Sequence, residues 1–400
     1  MKKKLWINSE VGRTFWHILS LYKVGANGYL LLARYISFPI INKKLIKLSR
    51  KTDARMEVPS FDIFIDEEKV EDGAFQLLAE IRPSWSPDQV SFKTFTDGIT
   101  NKLIGCWTKK SPKEIILIRM YGKNTDLLID RKAETRNFKL LQKAGFAPQL
   151  YAIFGNGLAY EYIHGEILTV ETVRAPSIYP LVATMLAKIH KINNQDSQKP
   201  ILWDLMKQYL KLVPETFSNP EKQRLYSEKF PDGIEVLHSE MLFFEEKLSH
   251  SSSKVVFCHN DLLLANIIHD QGKVTFIDYE YAGCNYQAYD IGNHFTEFAG
   301  VSSVDYSNYP SPDFQHAWLK IYLQEFNSNG NSTARVTNEE IKELYIQVNK
   351  FALVTHLLWA TWALVQAELS SIDFDFISYA ATRMEELFCK KEKILSLDAL

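Results

Sequence analysis

The chain has little cysteine, four residues in 400. They stand at 106, 258, 284 and 389, and no two form a C-x-x-C pair. That pattern argues against a disulfide framework or a thiolate zinc site. Free buried thiols in a reducing compartment fit better. Long apolar runs are also lacking. The longest, 351–367, is interrupted by Thr355, His356, Thr361 and Gln366. It falls short of the roughly 20 residues that a membrane span needs, so a buried helix is expected there. Lys2-Lys3-Lys4 is followed by Asn8, Ser9, Glu10 and Arg13, not by the apolar core of a secretory signal. Net charge is nearly absent, −2 from 46 basic and 48 acidic residues. The total therefore gives no reason to expect a nucleic acid or another polyanion as partner. Internal repeats and a G-x-G-x-x-G loop are missing as well. A cytoplasmic globular protein without a transmembrane segment is therefore expected.

What is present is an ordinary globular composition, 46% hydrophobic and 24% charged. The charge is unevenly spread. Residues 1–60 hold 12 Lys/Arg and 3 Asp/Glu, a net +9 against −11 for the rest. Residues 1–58 read as a basic, poorly ordered extension, with Pro39 and Pro59 breaking any long helix. Basic and apolar residues alternate over 40–48, which leaves room for weak membrane-surface contact. A strand-rich lobe is expected over 59–163 and a mostly helical lobe over 164–400. In the first, 91–96, 102–107, 114–121, 151–154 and 158–163 read as strands. Asp130 is placed to cap a helix that runs to Ala144 and ends at Gly145. Asn156-Gly157 reads as a hairpin turn. In the second, helices are expected over 176–192, 200–213, 234–249, 287–299, 312–327, 338–369 and 373–390.

The most telling stretch is Cys258-His259-Asn260-Asp261-Leu262-Leu263-Leu264-Ala265-Asn266. Phe276-Ile277-Asp278 follows at the end of an apolar run. An Asp, an Asn five positions on and a later strand-end Asp are the spacing of phosphoryl-transfer catalysis. The first carboxylate faces the acceptor hydroxyl. The amide and the second carboxylate face a metal ion from two sides. Turn-forming Asn and Asp residues alone would give a bland reading. Three matched positions in a strand–loop–strand frame weigh against it.

Other residues fit around that loop. Asp97-Gly98-Ile99-Thr100-Asn101, between two strands, is small and polar enough to let backbone N–H groups approach phosphate. By itself it would be a plain hairpin turn. Arg119 ends the run 115–118, where an Arg can grip phosphate and pair with Glu134 on the next helix. An edge-of-strand Arg with any carboxylate partner is the alternative. Glu161-Tyr162-Ile163 joins the two lobes and offers backbone groups to adenine, or is only a linker. Asp290 reads as structural, tying a helix start to the catalytic loop. Glu297, two turns further on, either reaches a substrate pocket or sits solvated. Trp359 and Trp362 share a helix face, with Phe374 and Tyr379 further along. They read as core, or as a cage around a small organic cation.

From Phe92 to Phe388 the chain resembles the choline/ethanolamine kinase family. The likeness rests on Phe95-Thr96-Asp97-Gly98-Ile99-Thr100-Asn101-Lys102-Leu103, Cys258-His259-Asn260-Asp261 with Asn266-Ile267, and Phe276-Ile277-Asp278-Tyr279-Glu280-Tyr281. It rests also on Tyr289-Asp290-Ile291-Gly292-Asn293-His294-Phe295 and His356-Leu357-Leu358-Trp359-Ala360-Thr361-Trp362. Within the family, Tyr279 and Glu297-Phe298-Ala299-Gly300-Val301 look like the members that phosphorylate ethanolamine. The choline kinases are the close rival. The resemblance implies an α+β, two-lobed, protein-kinase-like fold of the aminoglycoside-phosphotransferase type. It implies ATP:ethanolamine phosphotransfer, the first step of the CDP-ethanolamine route to phosphatidylethanolamine. It makes Asp261 the base, Asn266 and Asp278 the Mg²⁺ ligands, and Arg119 a partner of ATP phosphates. It places Tyr281, Glu297, Trp359, Trp362, Phe374 and Tyr379 around the amine. Its partners are ATP and ethanolamine, with no nucleic acid and with a homodimer allowed for. Residues 1–58 match no feature of the family.

Overall fold

The strand order of the largest sheet shows how the site is assembled. In the computed structural model, which describes residues 58–95, 101–192, 199–328 and 334–399, six strands line up in one sheet. They are β1 (Ser60–Phe61), β2 (Val90–Phe95), β3 (Asn101–Thr108), β4 (Ser111–Tyr121), β5 (Leu150–Phe154) and β6 (Gly157–Glu161). Their spatial order is β1-β5-β6-β4-β3-β2, with β1 parallel to β5 and the other pairs antiparallel. The apolar run in β4 explains its central place, because both of its faces are covered. Helix α1 (Val70–Ile81) packs Ala74, Leu77 and Leu78 against Ile65, Ile104 and Ile116. Helix α2 (Arg131–Ala144) starts where expected. The Asp130 carboxylate accepts the Lys132 and Ala133 N–H groups at 3.0 Å each, and Gly145 ends the helix at φ 81°.

Three features of this lobe differ from the sequence reading. β1 and α1 carry too weak a pattern to be read, being a two-residue strand and a helix without a side-chain cap. The hairpin turn is Gly155-Asn156, and Gly157 pairs with Phe154 inside β6. Asn156 is held by Ile65 instead, accepting its N–H at 3.0 Å and donating to its C=O at 2.9 Å. Gly157 is needed for another reason. A Cβ there would lie 2.1 Å from the Arg119 carbonyl oxygen.

The remaining helices are α3 (Tyr179–His190), α4 (Leu202–Leu212), α5 (Pro220–Lys229), α6 (Glu235–Leu248), α7 (Gln287–Thr296), α8 (Pro312–Phe326), α9 (Asn338–Leu369) and α10 (Phe376–Leu395). Helix α5 was not expected. Its apolar face is weak, and its signals are the Asn219 cap and Pro220 in its first turn. Helix α9 opens with a capping box of Thr337 and Glu340 and packs on α7 and α10. It is long and apolar enough to cross a membrane, yet 94% of its apolar window is buried in the protein. That makes it the core helix of this lobe. Cys106, Cys258 and Cys284 are buried as expected, whereas Cys389 is exposed on α10.

Two small sheets carry the segment 255–286. β8 (Val255–Cys258) pairs with β11 (Gly283–Tyr286), with Cys258 opposite Gly283. The chain between them is thereby closed into one loop. Inside it, β9 (Ile267–Asp270) and β10 (Lys273–Phe276) form a hairpin, extended by β7 (Glu166–Ile167). Gln271 and Gly272 turn the hairpin at φ 46° and 79°, both positive, as a two-residue turn matched to strand twist requires.

Candidate active site

The loop bearing Asp261 is fixed from below by one buried carboxylate. Asp290, in the first turn of α7, accepts the His259 N–H at 2.8 Å and the Asn260 N–H at 2.7 Å. His190 Nε2 lies 2.8 Å from the same carboxylate. Burial pushes the Asp290 carboxyl up, but bonds from His190 and the His259 N–H outweigh it and hold it low. Asn260 takes φ 66°, a left-handed conformation that Asn tolerates. Its side chain spans the loop, donating to the Tyr281 carbonyl at 3.0 Å and accepting from Asn285 Nδ2 at 2.9 Å. His259 bridges further. Its Nε2 meets the Ile277 carbonyl at 2.9 Å, and its Nδ1 accepts the Asp261 N–H at 3.3 Å. That pattern is the neutral imidazole, and burial lowers its pKa accordingly. His294 Nδ1 meets the Leu262 carbonyl at 3.1 Å.

Asn266 closes the loop by donating from Nδ2 to the Asp261 carbonyl at 3.0 Å. The Ile277 N–H returns to the Asn266 carbonyl at 3.0 Å. Asp261 and Asn266 are thus bonded directly, and Asp278 follows Ile277, whose N–H closes the loop. Asp278 takes φ 62°, a second left-handed residue at the site. Burial raises its pKa to about 6, Glu280 adds to this, and Arg119 opposes it. Asp261 is also pushed well up. Burial is the main cause, then the charges of Glu297, Asp278 and Glu280, against Arg383.

Arg119 is buried at the centre of an ionic cluster. It pairs with Glu134, as expected, with Asp278 at 2.6 Å and with Glu280 at 3.7 Å. Burial works against its charge, but Asp278, Tyr160 and Glu280 more than compensate, so it stays protonated. Arg131 was not foreseen. It reaches Glu134 at 3.0 Å, Glu280 at 3.3 Å and Thr125 Oγ1 at 2.5 Å. Glu280 was not assigned a role either. It accepts from Asn101 Nδ2 at 3.0 Å. Its signal was its position two residues after Asp278. Asp97, Gly98 and Thr100 lie outside the described residues. At the lobe connection the Tyr162 N–H is already given to the Ile115 carbonyl, at 3.1 Å. The Glu161 N–H is likewise given to the Gln149 carbonyl, at 2.9 Å. The Glu161 side chain is turned away, accepting the Gln149 N–H at 3.1 Å.

The aromatic residues assemble around Tyr281, whose hydroxyl feels the charge of Asp261. Trp359 and Trp362 meet edge to face at 5.6 Å, and Tyr281 meets Trp359 at 5.4 Å. Each indole is pinned, Trp359 Nε1 to Asn293 Oδ1 at 2.7 Å and Trp362 Nε1 to Tyr281 Oη at 3.0 Å. Phe374 and Tyr379 pack at 5.6 Å, and Phe376, unforeseen, links Phe374 to Trp362. Glu297 is buried, not solvated. It accepts from Arg383 Nη2 at 2.6 Å. Arg383 was also missed, although it stands one helical turn after Tyr379 and carries the charge opposite to Glu297.

A strand lobe and a helical lobe, with a base–amide–carboxylate loop and a buried Arg–Glu pair, define a phosphotransferase of protein-kinase-like α+β fold. The family model for choline/ethanolamine kinases matches residues 92–388. The chain belongs to the choline/ethanolamine kinase family. It is 46% identical over 348 residues to ethanolamine kinase 1 of Mus musculus, covering 85% of this chain and 96% of that one. Ethanolamine kinase 2 of Homo sapiens is 48% identical over 344 residues, covering 85% and 86%. Among solved structures, an ethanolamine kinase of Plasmodium vivax superposes with a TM-score of 0.69 at 27% identity, covering 81% and 89%.

Proposed function

We propose that this chain phosphorylates ethanolamine with ATP, with Asp261 as the base. The observation that carries the reading is the position of Asp261. Its carboxylate feels the charges of Asp278 and Glu280 and also those of Glu297 and Arg383, and its own charge reaches Tyr281, which packs on Trp359. Asp261 takes the proton of the substrate hydroxyl as its oxygen attacks the γ-phosphorus in line and ADP leaves. Arg119 and the loop 97–101 offset charge on the transferring group. Glu297, Phe374 and Tyr379 complete the amine pocket.

Asp278 and Asn266 fit Mg²⁺ because they offer hard oxygen donors. The Asn266 Nδ2 is already given to the Asp261 carbonyl, which leaves its Oδ1 for the metal. The Asp278 side chain is 34% exposed and therefore reachable. Bound there, Mg²⁺ would supply positive charge to the phosphates. The product would feed the CDP-ethanolamine route to phosphatidylethanolamine.

The pinned indoles favour a second reading, choline or both amines, because cation–π attraction needs no N–H donor. The test is kcat/KM for both amines. A primary ammonium bonded to Glu297 makes ethanolamine at least about tenfold better. Glu297→Gln removes most ethanolamine activity and narrows the gap. Equal or better turnover of choline would reject the ethanolamine assignment and leave the kinase assignment standing.

A further inference from the structure

Arg383 and Glu297 form a buried pair, at 1% and 2% exposure, whose charges both reach Asp261. Arg383 Nη2 donates to Glu297 Oε1 at 2.6 Å. The guanidinium is itself held from α10. Its Nε and Nη2 donate to the Tyr379 hydroxyl at 3.0 and 2.5 Å. The other oxygen of Glu297, Oε2, is buried and has no hydrogen-bond partner among the described residues. Arg383 Nη1 and Tyr306 Oη are buried in the same condition. The Tyr306 hydroxyl feels the charges of both Arg383 and Glu297, so it lies near the pair.

A buried carboxylate oxygen without a donor is costly unless a ligand supplies one. We infer that Arg383 is a positioning residue for the substrate ammonium: it engages Glu297 Oε1, fixes the carboxylate's rotation and leaves Oε2 for an N–H of the amine. This rests on the ethanolamine reading above. A single aimed oxygen favours an amine with N–H donors over a trimethylammonium group.

The test is a double-mutant cycle of Arg383→Gln and Glu297→Gln, with KM for ethanolamine and for ATP measured in each protein. Arg383→Gln should raise the ethanolamine KM about tenfold or more, the usual size for one charge-assisted hydrogen bond. The ATP KM should move less than about twofold. In the Glu297→Gln background the same change should add less than about twofold, because Arg383 acts through Glu297. Arg383→Lys should recover part of the ethanolamine KM. Tyr379→Phe removes the acceptor that aims the guanidinium but keeps the charge pair, and should raise the ethanolamine KM by about threefold or more. That variant carries the test if Arg383→Gln does not fold. Multiplying effects in the double mutant, an equal rise in ATP KM or an unaffected Tyr379→Phe would each overturn the inference. Wild-type turnover of ethanolamine tests the substrate reading separately. If the wild type phosphorylates only choline, the cycle is run with choline and still decides whether Arg383 works through Glu297.

Discussion

Asp290→Asn should disable the enzyme without touching any substrate. The wild-type carboxylate accepts the Asn260 N–H at 2.7 Å on Oδ1. Its Oδ2 accepts the His259 N–H at 2.8 Å and faces His190 Nε2 at 2.8 Å. His190 cannot easily reverse its tautomer. Its Nδ1 lies 2.5 Å from the Tyr322 hydroxyl, which accepts from Gln287 Nε2 at 2.9 Å. Either amide orientation therefore sets an NH₂ group against a donor. The less harmful one sacrifices the Asn260 bond. Losing one charge-assisted bond and stranding a buried donor costs about 3–5 kcal/mol. That is a large share of the roughly 5–15 kcal/mol that holds a domain together. The strained Asn260 is released one residue before Asp261, and a misplacement of about 1 Å can cost about 10²-fold in rate. The assay pairs thermal unfolding with ethanolamine turnover, and both should drop. The wild-type pH profile gives a further check. The folded pKa of Asp290 is depressed, so its contribution is complete above the unfolded value, about 3.9, and is lost as pH falls below it. Between pH 5 and 8 it should be constant. An Asp290→Asn protein with unchanged Tm and kcat would refute this account of the loop.

Asp261→Asn should lower kcat by about 10²–10⁴-fold while ATP still binds, as measured by turnover and calorimetry. Gly157→Ala should both destabilise the strand lobe and raise the ATP KM, because its Cβ would press on the Arg119 carbonyl from 2.1 Å. Thermal unfolding and ATP titration check it. His294 adds a pH effect of the same sign as that of Asp290, at higher pH and from burial instead of pairing. Burial lowers its pKa from 6.5 to about 4, so the unfolded chain takes up a proton that the folded protein refuses. Stability should therefore fall as pH drops from about 6.5 towards 4, by on the order of 3 kcal/mol from this group. Urea unfolding at several pH values measures it, and His294→Gln should flatten the slope.

The strongly patterned parts of the fold were legible in the sequence. The Asp130 cap and Gly145 stop fixed α2, and the apolar run before Arg119 marked the central strand. The family was readable from the loop 258–278, because the chemistry proposed for it needs particular residues at particular spacings. Arg131 and Arg383 were not readable, because their meaning lies in contacts across long separations. Arg383 meets Glu297 from 86 positions away, and Arg131 meets Glu280 from 149. Periodicity cannot report such pairs. Helix α5 was missed because its exposed face is mostly polar, and the hairpin turn was misplaced by one residue. There Asn156 serves the Ile65 backbone, while Gly157 makes room for the strand beside it.

Arg119 has one more consequence. In this structure the guanidinium proposed to meet phosphate is already neutralised by Asp278, Glu134 and Glu280. On that proposal the resting site contains a competitor for the nucleotide. Phosphate oxygens would take Arg119 Nη1 as Asp278 gives it up, at low cost when another cation takes the carboxylate. Nucleotide binding would then be largely an exchange of partners inside a fixed set of charges. Two ligands that each relieve the other's obstacle must bind cooperatively. Free ATP should therefore bind weakly, free Mg²⁺ should bind weakly, and each should tighten the other by the same factor.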